Sequence, residues 1–71
     1  MKKKAINWEK ESIKALRKHM GKTQMEFAGE MGIRQQTVSE WEIGMYAPRG
    51  TSSMLLTIIA ERSNFQYSSK K

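Results

Sequence analysis

The sequence predicts an all-α domain of four or five helices, and three observations carry that prediction. Apolar residues recur at spacings of three and four through Ile13, Leu16 and Met20, and again through Phe27, Ala28 and Met31. Thr23 and Glu26 form the T-x-x-E pair that opens a helix. Gly21 and Gly32 stand where the first two apolar stripes run out, as helix-ending glycines do.

Taken in order, Asn7 is the expected cap of the first helix, with Glu9 and Glu11 in its first turns favourably placed against the helix dipole. Arg17 lies beside the apolar stripe rather than opposite it, which implies a partly buried guanidinium with a partner. His19 near the helix end is read as exposed and interacting with the C-terminal dipole, because no Cys, Asp or Ser neighbour makes it a ligand or a base. The second helix starts at Gln24 and turns Phe27, Ala28 and Met31 inward. Gly29 in its middle costs about 1 kcal/mol relative to alanine, and nothing in the sequence accounts for it. Ile33 returns to the core after the turn. A third helix from Gln35 to Trp41 faces Val38 and Trp41 inward and leaves Gln35, Gln36, Thr37, Ser39 and Glu40 outward. Solvated faces are commonly rich in Lys and Glu, so two adjacent glutamines at a helix start point to contact. Gly44 to Gly50 holds two glycines and the only proline and is a loop. Thr51 or Ser52 caps the last helix, whose Met54, Leu55, Leu56, Ile58 and Ile59 wrap more than one face before Ser63 and Asn64 end it.

Seventy-one residues suffice for one small domain, since a chain of this size buries only about 60% of its extended surface. The division expected is a flexible basic arm over 1–6, the folded domain over 7–65 and a flexible tail over 66–71. No cysteine is present, so neither a disulfide frame nor a cysteine zinc site contributes. No cofactor and no metal are expected. The net charge of +6 comes largely from Lys2, Lys3, Lys4, Lys70 and Lys71, five of thirteen basic residues; the remaining eight face seven acidic ones. Basic ends of this kind either draw a chain toward a polyanion or keep it soluble. The longest apolar cluster, Met54 to Ala60, is far below the ~20 residues that span a bilayer, and MKKKAINW lacks the apolar run of a signal peptide. A cytoplasmic protein without a membrane partner is therefore expected.

From about Ile13 to Pro48 the residues resemble the helix-turn-helix family of phage-repressor, Cro and XRE type. Gln24 opens the motif, Ala28 sits at the closest approach of two helices, Gly32 makes the turn, and Ile33, Val38 and Trp41 lock the helices. Glu42, Gly44 and Pro48 complete a W-E-x-G-x-x-x-P ending that makes the combination specific. The resemblance implies a lambda-repressor-like DNA-binding domain, associated through DNA with the nucleoid. It also implies a structural ion pair between Arg17 and Glu42.

Carried over position by position, the resemblance places base readout on Arg34, Gln35, Gln36, Ser39 and Glu40. Glutamine donates to and accepts from adenine N7 and N6 in bidentate fashion. Arg34 replaces the serine or threonine of many relatives, weakening the cap but offering a guanidinium to guanine or phosphate. Glu40 either accepts from cytosine N4 or repels nearby phosphates. Phosphate contacts fall on Lys22, Thr23, Gln24, Thr37, Tyr46 and Arg49; Tyr46 reads equally as an ordinary loop residue. Thr37 also reads as a contact to a thymine methyl, and the Lys2–Lys4 arm as a phosphate or minor-groove contact.

The function these readings imply is a sequence-specific transcriptional regulator, a repressor, holding double-stranded DNA as a homodimer on a palindromic operator. Half-sites would lie one helical turn, about 34 Å, apart. The surplus apolar residues of the last helix, Leu55, Leu56, Ile58 and Ile59, with Phe65, are the expected dimer interface. The alternative is an antitoxin-like interaction module that binds a toxin or other protein through its last helix and represses its own operon. One histidine, no cysteine and no Gly-rich phosphate loop leave no set of catalytic residues, so an enzyme is not expected.

Overall fold

The computed structural model describes residues 7–65, folded as α1 (Lys10–His19), α2 (Gln24–Met31), α3 (Gln35–Glu42) and α4 (Thr51–Arg62), with no strand among them. The arm at 1–6 and the tail at 66–71 lie outside the described residues. None of the described helices is long and apolar enough to cross a membrane.

The first helix begins two residues later than its best capping residue suggests. Glu9, not Asn7, holds the N-cap position. Ser12 explains the shift: its hydroxyl accepts the Glu9 N–H at 2.9 Å and lies 2.9 Å from the Asn7 carbonyl, to which it can donate. Asn7 thus serves through its backbone. The arrangement delivers Trp8, immediately before the cap, into the core beside Ile13 in the helix's second turn, a hydrophobic staple that sets the chain's entry angle. The Trp8 indole N–H donates to the Thr57 hydroxyl at 3.0 Å, tying the chain's start to α4.

The second helix opens on the expected capping box. Thr23 N–H reaches the Glu26 carboxylate at 2.9 Å and Glu26 N–H reaches the Thr23 hydroxyl at 3.1 Å. At its far end Gly32 takes φ +74°, a left-handed conformation that disfavours a side chain. That turn lets Ile33 N–H close on Ala28 O at 3.0 Å and lays Ile33 against the core. Gly29 is exposed in mid-helix, and a Cβ added there would meet nothing within 4 Å, so nothing among the described residues gives it a packing reason.

Phe27, Ile13, Leu16, Leu56 and Val38 are the largest fully buried apolar side chains, ringed by Trp8, Ala28, Met31, Trp41 and Ala60. Each buried large apolar side chain contributes about 1.5–3 kcal/mol, so this cluster, drawn from all four helices, is what holds the domain. α2 packs on α3 and α4, and α1 packs on α3. The last helix starts at Thr51 with Gly50 at its cap position and no side-chain cap, so neither Thr51 nor Ser52 caps it. At its end the left-handed Asn64 turns the chain and Phe65 N–H returns to Ala60 O at 2.9 Å. The ring of Phe65 packs against the core and tilts over His19, whose Nε2 lies 2.9 Å from Ser63 O. His19, although exposed, therefore clasps the end of α4 rather than its own helix terminus.

Candidate nucleic-acid interface

Everything that positions α3 converges on Glu42. This carboxylate is almost wholly buried, and a buried charge is tolerable only when its oxygens are filled. Arg17 Nε donates to Oε2 at 2.7 Å and Nη2 to Oε1 at 3.0 Å, the two-pronged geometry that suits a guanidinium. Gln24 Nε2 adds a third bond to Oε1 at 3.1 Å. The remaining prong of Arg17, Nη1, donates to the Lys22 carbonyl at 3.1 Å. One carboxylate thus joins α1, α2 and α3, and the guanidinium also grips the turn between the first two helices. Burial by itself pushes the Glu42 carboxyl up; the bonds from Arg17 and Gln24, with the attraction of Arg17 and Lys14, outweigh it and hold the group below the usual carboxylate range. The Glu42 bond in turn raises Arg17, against the lowering effect of burial.

With Val38, Trp41 and Glu42 facing inward, the start of α3 is left outward. Arg34 occupies the cap position without a side-chain cap bond, and Arg34, Gln35 and Gln36 are all exposed. An uncapped helix start leaves backbone N–H groups available to an anion. Thr37, Ser39 and Glu40 are half-buried on the flanks. Glu40 is not free: Gln36 Nε2, one turn earlier, donates to its Oε2 at 3.1 Å. α3 ends at Glu42 with Ile43 as its C-cap, and Gly44 beyond it takes φ +83°, where an added Cβ would also press on Lys10 Cδ at 3.3 Å; Met45 N–H closes on Glu40 O at 2.9 Å.

A family model described as helix-turn-helix, of Cro/C1 (XRE) type, matches residues 13–57, more than half of the chain. The chain belongs to the Cro/C1-type helix-turn-helix family. Members of this family are DNA-binding transcription regulators, which makes α2 and α3 the two helices of the motif and Gly32 its turn. No curated protein and no solved structure gives a significant match to the chain.

The other residues singled out from the sequence lie around this motif. Thr23 accepts from Glu26, which leaves its hydroxyl proton to donate outward. Gln24 turns its amide nitrogen to Glu42, so a phosphate would meet its second amide proton or the backbone of α2. Lys22 is loosely paired with Glu30 at 3.8 Å, a half-exposed pair of little energetic weight. Tyr46 and Arg49 are exposed in the loop after α3.

The expected dimer residues are split by α4. Leu56 is fully buried in this domain's own core and cannot serve a partner; with five apolar residues around the helix, periodicity did not tell the inward face from the outward one. Leu55, Ile59 and Phe65 are half-buried against the core, whereas Ile58 is exposed, as is Met54 one turn before it. Two features escaped the sequence reading. One is the burial of Trp8, which precedes the cap only because Glu9 rather than Asn7 holds that position. The other is the exposure of Ile43 and Met45 beside Tyr46.

Proposed function

We propose that this regulator is a repressor that reads a palindromic operator as a homodimer, with α3 in the major groove. The observation that carries the reading is the division of α3: Val38, Trp41 and Glu42 are committed to the scaffold, while Arg34, Gln35 and Gln36 stand exposed at an uncapped helix start. Base contacts fall on Arg34, Gln35, Gln36 and Ser39, and phosphate contacts on Lys22, Thr23, Gln24, Thr37, Tyr46 and Arg49, with Glu40 beside the readers and bonded by Gln36. The folded body contributes little net charge, so the lysine arms supply much of the salt-dependent attraction. Dimerisation is assigned to the outer side of α4, where Ile58 and Met54 are exposed and Leu55 and Ile59 flank them.

Selection of bound duplexes from a random pool by the full chain tests this reading. It should return paired half-sites about one helical turn apart. An unpaired site would contradict the dimer, and recovery of no preferred sequence would contradict the operator reading altogether. The exposed Met54 and Ile58 favour a second reading, a protein partner bound through the last helix in the manner of an antitoxin. A stoichiometric complex recovered from the native host would support it.

A further inference from the structure

The chemistry of the Gln36–Glu40 pair goes further than a surface hydrogen bond. A carboxylate accepts and cannot donate. Gln36 must therefore turn its amide nitrogen, not its oxygen, toward Glu40 Oε2, 3.1 Å away. Glu40 is itself half-buried, and its backbone carbonyl takes the N–H of Met45 and that of Tyr46, at 2.9 and 3.5 Å. The backbone that carries this carboxylate is thus held in the last turn of α3, while Gln36 is exposed.

An amide gripped in this way has one N–H committed, leaving one N–H and one carbonyl oxygen. Adenine presents in the major groove one acceptor, N7, and one donor, N6. Guanine presents two acceptors, N7 and O6, and asks for two donors, of which the gripped amide retains only one. The carboxylate beside it also disfavours the electron-rich edge of guanine. Resting on the reading of α3 as the base-reading helix, we propose that Glu40 is a positioning residue that fixes the Gln36 side-chain amide and so makes Gln36 select adenine against guanine. Glu40 itself then reads no base. Its negative charge near the phosphates lowers overall affinity, and that cost is separable from the positioning, because glutamine at the same place retains an accepting oxygen without the charge.

The test is selection from a random duplex pool with the full chain as wild type, Gln36→Ala, Glu40→Ala and Glu40→Gln, followed by affinities for duplexes carrying each base at the affected position. The base read by Gln36 is the one whose preference disappears in Gln36→Ala. Wild type should prefer adenine there by about tenfold or more over guanine. Glu40→Ala should bring adenine and guanine to within about threefold while the other positions hold, and Glu40→Gln should retain adenine. Both Glu40 variants should bind all duplexes more tightly than wild type. An unaltered adenine preference in Glu40→Ala overturns the proposal, as does guanine at that position in wild type. Loss of a cytosine at a neighbouring position instead would make Glu40 a reader. If Gln36→Ala changes no preference while wild type still selects, the assignment of Gln36 fails and the operator reading survives. If wild type selects nothing, both fall.

Discussion

Glu40 and Glu42 stand two residues apart on α3 in opposite surroundings. Glu42 is buried and receives three donor bonds, two from Arg17 and one from Gln24. Glu40 lies half-buried on the other side of the helix and receives one, from Gln36 on its own helix. The first carboxylate fixes where α3 sits on the scaffold. The second, on our account, fixes how one side chain of α3 is presented. A helix of only eight residues can have both functions because positions two apart project to different sides.

The contrast between the two carboxylates depends most on Arg17. Arg17→Ala strands Glu42 in the core with Gln24 as its remaining partner, and removing one member of a buried pair costs about 3–5 kcal/mol. Arg17 keeps some exposure, with 16% of its side chain reachable, so the low end applies, about 3 kcal/mol. That is a large share of what so small a domain has. Urea unfolding should show a correspondingly lower midpoint with an unchanged slope.

Acid acts on the bonds of Glu42. Because the folded-state pKa of Glu42 is held below its unfolded value, its contribution is fully present above the ordinary carboxyl range. It is lost as pH falls through the folded value. Wild type should therefore lose stability more steeply below about pH 4.3 than Glu42→Gln does, as followed by thermal melting across pH 2–7. The raised Arg17 pKa has its consequence only in strong alkali. Glu40→Ala, in contrast, should change stability by about 0.5 kcal/mol or less, the value of one i, i+4 pair. A loss comparable to that of Arg17→Ala would erase the distinction between the two carboxylates.

Much of this architecture was legible because its causes are local. The Thr23–Glu26 box, the Gly32 turn and the inward Phe27, Ala28, Val38 and Trp41 depend on neighbours within a turn or two. The start of α1 was not legible: Asn7 is the better cap by preference, but the bonds of Ser12 and the burial of Trp8 override it. Neither was the orientation of α4, whose apolar residues surround the helix, so that only packing decided that Leu56 points in and Ile58 out. The Arg17–Glu42 pair spans 25 residues, and only the family resemblance brought its partners together. For Glu40 the sequence left two roles open, base contact and phosphate repulsion; the bond from Gln36 added a third.

Base reading by the exposed start of α3 is tested by the affinity of the Gln35→Ala, Gln36→Ala double variant for a selected operator and for random duplex. The operator should lose about 1–3 kcal/mol per contact while random-duplex affinity stays unchanged. Equal losses on both duplexes would contradict it.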